Sequence, residues 1–216
     1  QKIITIAVEP DNFDKVKEIS DSHPDVYFSQ GIHPHDAKLS TENAMQTIRA
    51  RCGDKKMVAV GEIGLDYHYN NSPKDVQIKV FKEQLEIAIE NNKPVIIHSR
   101  DADEDMIEIL SEYAPRMSKK GVIHSFTSGE ALAQEAIKLG FCLGFNGIIT
   151  FKNAQNVRDI VALCPIDRCV GFPEPPPTPI PSTHPRHSLP DFPYEPSAHP
   201  SCPAPDPVGW EPCVFC

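Results

Sequence analysis

The stretch SPKDVQIKVFKEQLEIAIENNKPVIIH (72–98) decides the fold class. Ser72 suits an N-cap, Pro73 the first helical position and Asp75 the positive first turn of a helix. Ile78, Phe81, Leu85, Ala88 and Ile89 form one apolar stripe at helical spacing. Asn91-Asn92 ends the helix, and Pro94 opens a strand that is apolar on successive residues rather than alternating. That pattern marks a strand buried on both faces, as in a parallel sheet covered by helices.

Outward from this unit, similar apolar runs recur at 2–8, 26–32, 57–63, 121–126 and 140–145. A second clear helix runs from Gly129, with Leu132, Ala136 and Leu139 on one face and Gly140 as its stop. Weaker helical patterns cover 11–20, 41–51, 101–114 and 153–163. Strand and helix thus alternate six times, which calls for parallel neighbours joined by right-handed crossovers. An open doubly wound sheet and a (β/α)8 barrel both satisfy this order. No GxGxxG or GxxxxGK[ST] loop follows any strand, which disfavours the nucleotide-binding open sheet, and six units are two short of a barrel.

The chain has 216 residues and a formal net charge of −9. The acidic balance disfavours a general phosphate-backbone binder, but not a nuclease that meets phosphates through metal ions. No apolar stretch reaches the length of a membrane span, and no secretory leader is visible. The chain opens at Gln1 directly before an apolar run, which reads as a fragment. Fifteen of its 22 prolines lie in 171–216, where Arg186 is the one basic residue. That stretch is expected to be disordered or extended, because Pro removes backbone donors and blocks helix and central strand. The expected organisation is a partial barrel over 1–168 and a Pro-rich tail over 169–216. Cys52, Cys142 and Cys164 have no ligand-like spacing and read as reduced, cytosolic thiols, while Cys213 and Cys216 form an isolated CxxC.

Ligands meet parallel α/β folds at the C-terminal ends of the strands. There the sequence places Gly31-Ile32-His33-Pro34-His35, Gly61-Glu62-Ile63-Gly64-Leu65-Asp66, Ile97-His98-Ser99-Arg100 and Ile123-His124-Ser125. One histidine at such a place is ordinarily a hydrogen-bonded ring. Two Ile-His-Ser strings and a preceding glutamate make Glu62, His98 and His124 a candidate metal set, because imidazole and carboxylate are the usual ligands of hydrolytic metals. His33 and His35 suit metal, substrate phosphate or a rigid turn. Arg100 either clamps a phosphate or pairs with Asp101 or Asp103. Asp66 either accepts from a ligand histidine or caps the next turn. His68 reads as surface.

The strings GIHPH (31–35), GEIGLDYH (61–68), PVIIHSRDA (94–102), IHSF (123–126) and GFNGIITFKNA (144–154) resemble TatD-type metal-dependent deoxyribonucleases of the amidohydrolase-like superfamily. The resemblance implies a (β/α)8 barrel, here strands two to seven, with a two-metal centre that hydrolyses DNA phosphodiesters, often from a 3′ end. It implies that Glu62 bridges the metals and is catalytic, and that His98 and His124 sit on one of them. By the same resemblance His33 and His35 lie beside the substrate. The expected cofactors are divalent metal ions (magnesium, manganese or zinc), with no organic cofactor. The expected partner is DNA, for a monomeric cytoplasmic protein without membrane contact.

Two departures bear on this chain. The family's HxH on the first strand is absent, and so is its ETD-like aspartate after Ile166-Asp167-Arg168. At most one well-formed metal site and impaired activity are therefore expected, together with unpaired sheet edges at 3–8 and 140–145. A frameshift, an alternative exon or an assembly error explains the abrupt tail better than selection for a Pro-rich ligand. The alternatives are a related hydrolase of amides or esters, and a non-catalytic product whose Pro175-Pro176-Pro177 stretch binds polyproline-recognising modules.

Overall fold

A computed structural model describes residues 2–171. The expectations for the Pro-rich stretch beyond, including Cys202 and the Cys213/Cys216 pair, lie outside the described residues. Seven parallel strands run in sequence order across one curled sheet: β1 (Ile3–Ala7), β2 (Val26–Gln30), β3 (Met57–Asp66), β4 (Val95–Arg100), β5 (Gly121–Ile123), β6 (Cys142–Phe145) and β7 (Cys169–Gly171). Six helices occupy the crossovers: α1 (Phe13–Ser22), α2 (Glu42–Arg51), α3 (Lys74–Glu90), α4 (Asp103–Tyr113), α5 (Glu130–Lys138) and α6 (Gln155–Leu163). The fold is a partial (β/α)8 barrel. No helix among the described residues is long and apolar enough to cross a membrane.

Alternation along the strands builds two apolar layers. Val60, Val95, Ile97 and Ile123 belong to the large core shared with the helices, whereas Ala59, Ile96, Val122 and Val170 form a smaller cluster of their own. Both sets are buried, which explains why the strands read as continuous apolar runs.

Three local expectations need correction. A seventh strand exists, and β6 pairs with β5 on one side and β7 on the other, so 140–145 is not a sheet edge. β7 lies past residue 168, in the segment the sequence groups with the tail, and three residues are too few to leave a periodic signature. Ser72 is not the N-cap of α3. That position is Pro73, and the buried Ser72 hydroxyl donates to the His35 carbonyl at 2.9 Å and accepts from the Lys38 N–H at 3.1 Å. The buried face of α3 is also rotated from the expected stripe. It carries Gln77, Val80, Phe81, Gln84, Leu85 and Ala88, while Ile78 and Ile89 are only partly buried.

Candidate metal centre

Glu62 reaches the centre through an irregularity in β3. The β3–β4 ladder pairs Gly61 with Ile96 and Ile63 with Ile97, so Glu62 has no partner in β4. An extra residue of this kind re-aims a side chain away from the regular pleat. Glycines on either side permit the close strand contact. A Cβ on Gly61 would lie 2.6 Å from the Ile96 Cβ, and one on Gly64, whose φ is +141°, would lie 2.0 Å from the His98 carbonyl oxygen. Gly64 and His98 are register partners. The glycines of the GEIG string thus let the strand carrying Glu62 lie tightly against the strand carrying His98.

Glu62 Oε1 lies 3.1 Å from His98 Nδ1, 3.3 Å from His124 Nε2 and 3.8 Å from His33 Nε2. The other His98 nitrogen, Nε2, lies 2.9 Å from Asp66 Oδ2, and the same oxygen is 3.0 Å from His35 Nε2. Asp66 is fully buried, and its second oxygen accepts from the backbone N–H groups of His68 and Tyr69. One carboxylate thus both caps the turn after β3 and orients the rings of His98 and His35. The structure therefore brings Glu62, His98, His124, His33, His35 and Asp66 into one connected network.

The electrostatics follow from this packing. Burial alone would raise the Glu62 pKa. Hydrogen bonds from His124 and His98, and the field of those rings, outweigh it and hold the carboxyl well below the usual carboxylate range. Burial also disfavours a charged His98, but its bonds to Glu62 and Asp66 prevail and its pKa is raised above 6.5. For His33 burial dominates and pushes the imidazole down to about 4. A neutral His33 has one ring proton to place. The His35 backbone N–H donates to His33 Nδ1 at 3.2 Å, which assigns that proton to Nε2, the nitrogen nearer Glu62. His33 thus turns a donor, rather than a lone pair, toward the carboxylate.

The donor set fits a divalent ion. Ligand atoms of His33, Glu62 and His98 all lie within 4.8 Å of one another, and His124 approaches the same Glu62 oxygen. A carboxylate with neutral imidazoles matches the ligand preference of zinc and manganese. By distance His33 completes this group, whereas His124 meets it through the Glu62 oxygen. No cysteine joins such a group among the described residues, and Cys52, Cys142, Cys164 and Cys169 are free thiols.

Arg100 is paired with neither of the aspartates that follow it. Asp101 binds His68 Nδ1 at 2.8 Å, and Asp103 accepts from the Gly129 N–H at 2.8 Å. The Arg100 guanidinium instead lies over the Tyr69 ring, 4.8 Å from its centroid. It also lines a cleft of about 260 Å³ with Asp101, Asp103, Thr127, Ser128 and Asn156. His68 is exposed, as the sequence suggests.

Several supporting residues are absent from the sequence-based set. Gln84, fully buried on α3, accepts from the Ile32 N–H at 2.7 Å and donates to the Ile32 carbonyl at 3.1 Å, which holds the backbone next to His33. Gln77, two turns earlier on the same face, accepts from the Asp66 N–H at 2.8 Å and donates to the Asp66 carbonyl at 2.9 Å. Asn146, just past β6, donates to the Ser125 hydroxyl at 3.0 Å, and that hydroxyl is 3.1 Å from His124 Nδ1. The available signal for the two glutamines is their spacing of seven on a helix that is otherwise apolar on that face.

Imidazoles gathered round a buried carboxylate beside the C-terminal ends of parallel strands define a class, the metal-dependent hydrolases of (β/α)8 type. Within that class the comparisons are specific. The family model described as TatD related DNase matches residues 1–170, and the chain belongs to this family. It is 38% identical over 168 residues to the uncharacterized metal-dependent hydrolase YabD of Bacillus subtilis, covering 78% of this chain and 66% of that protein. It is 35% identical over 148 residues to the 3'-5' ssDNA/RNA exonuclease TatD of Erwinia tasmaniensis, covering 68% of this chain and 57% of that one. The crystal structure of YjjV, a TatD homologue from Escherichia coli K12, superposes with a TM-score of 0.72 at 30% identity, covering 78% of this chain and 65% of its own. The chain thus spans about two thirds or less of the length of these relatives.

Proposed function

We propose that this chain is a hydrolase of phosphodiester bonds in DNA, acting from a 3′ end by attack of water, with no covalent enzyme intermediate. The observation that carries this reading is the convergence of His98 and His124 on one Glu62 oxygen, with Arg100 nearby over the Tyr69 ring and, among the described residues, unpaired with a carboxylate. The naming of the Erwinia relative as an exonuclease supports the same substrate class.

A divalent ion bound by Glu62, His98 and His124 would supply an activated water and neutralise charge developing on the phosphoryl group. The remaining work falls to the chain's own side chains. Glu62 stays ionised, which keeps its carboxylate able to hold a cation. Asp66 fixes the orientation of His98 and His35. His33 donates from Nε2 to a non-bridging phosphoryl oxygen, a role open to an uncharged ring. Arg100 meets the phosphate of the chain being cut, where its planar fork suits paired oxygens.

The test is incubation of a 5′-labelled single-stranded oligodeoxynucleotide with the protein and manganese or magnesium. The expected result is stepwise shortening from the 3′ end, abolished by EDTA. Hydrolysis of amides or lactones without phosphodiester cleavage would instead favour a related hydrolase of another substrate class.

A further inference from the structure

We propose that Tyr69 is a base-stacking platform at the rim of the metal centre, which takes an unpaired nucleobase next to the phosphate held by Arg100. This rests on the nuclease reading above and adds a base-recognising residue to it. Tyr69 is 55% exposed, although it is a large ring. Its surroundings are rings and a cation. Arg100 lies over it at 4.8 Å, His68 packs edge to face at 4.7 Å, and His35 does the same at 5.5 Å. The backbone that carries the ring is fixed from below. Its backbone N–H donates to Asp66 Oδ1, while Asp66 Oδ2 holds His98 and His35. One buried carboxylate therefore ties the exposed ring to the catalytic cluster.

Base stacking on an aromatic ring, reinforced by a guanidinium, is the sequence-tolerant way to hold single-stranded nucleic acid. It matters more here than in a basic nuclease, because a chain of net charge −9 gains little from general attraction to phosphates. Bases inside a duplex keep both faces stacked, so the platform selects unpaired or frayed ends.

The experiment measures binding of the full 216-residue chain, in EDTA so that nothing is cut. The probes are fluorescein-labelled dodecathymidylate and an abasic oligomer of the same length and charge. Wild-type protein is expected to bind the thymidylate about tenfold more tightly than the abasic oligomer, the size of one stacked base. Tyr69→Ala should erase that difference, and Tyr69→Trp should restore it. Equal wild-type affinity for the two probes, no binding of either, or a preference that survives Tyr69→Ala overturns the proposal. Manganese-dependent cleavage of both oligomers is scored separately. Its absence counts against the nuclease reading, whereas cleavage without base preference removes the stacking role alone.

Discussion

Glu62 Oε1 is the atom that His98 and His124 share, so the carboxylate holds the two rings in one place. Glu62→Gln keeps the shape and removes the charge. Hydrolysis should fall by on the order of a thousandfold, about 4 kcal/mol in barrier, while circular dichroism stays that of the parent. Activity near that of the parent would reject the assignment. His98 makes the second prediction. Its pKa is raised because Glu62 and Asp66 favour the imidazolium over the opposing effect of burial. The proton therefore stays bound above the ordinary value of 6.5, and a divalent ion must displace it. Metal affinity should rise by up to about tenfold per pH unit from pH 6.5 until His98 is deprotonated, and level off above that. His33, with its pKa near 4, is already neutral and adds nothing to this slope. Calorimetric titration with manganese in two buffers of different ionisation heat reads the released proton, and a flat affinity across that range would contradict the cluster as described.

The elements make these residues meet, and two contacts between them can be broken singly. Gly64 lets β3 approach β4, since a Cβ there would overlap the His98 carbonyl. Gly64→Ala should destabilise the protein by roughly 2–4 kcal/mol through overlap and an unfavourable φ, seen as a lower midpoint in urea unfolding. Because the clash falls on the backbone of His98, metal affinity should fall in the same variant even where it remains folded. Helix α3 acts at a longer range. Its Gln84 satisfies both backbone groups of Ile32, 52 residues away. Gln84→Leu fits the volume and leaves a buried N–H and C=O without partners, at a cost of about 2–4 kcal/mol. Gln84→Glu offers one of the two bonds and should fall between them. Equal stability of all three proteins by chemical denaturation would show that the amide is not the clamp.

At the scale of the molecule, the open side of the sheet matters most. β1 pairs with β2, and among the described residues no strand lies on its other side. Its first residue, Ile3, is 56% exposed, so the edge offers unpaired backbone groups beside an apolar side chain. Such edges template pairing with other chains, and a charged residue on the edge blocks it. The chain is therefore expected to self-associate as its concentration rises. Ile3→Lys should shift it toward the monomer in sedimentation velocity with no loss of secondary structure. An unchanged distribution would mean that the β1 edge is covered.

The parallel α/β class is legible in the sequence because runs such as Val95-Ile96-Ile97 are apolar on successive residues, and burial on both faces requires that. Glu62, His98 and His124 are legible as strand-end residues because each sits within or just after such a run, whereas His33, which joins Glu62 and His98 in the close group of ligand atoms, stays open in the sequence between metal, phosphate and a rigid turn. These are local signals, set by the period of the backbone and by residue type. Gln77 and Gln84 are not legible, since a hydropathy pattern counts them as polar, and nothing near them in the chain announces the distant backbone groups they satisfy. The irregularity that aims Glu62 inward exists only in the register of β3 against β4. Arg100 shows the division most plainly. The sequence alone determined that a guanidinium stands at a strand end with Asp101 and Asp103 within reach. Only the tertiary structure decided that His68 takes the first aspartate and the Gly129 N–H meets the second, leaving Arg100 on Tyr69. The physical reason is that partners compete for each charge, and the winners are brought near by the crossovers rather than by adjacency in the chain.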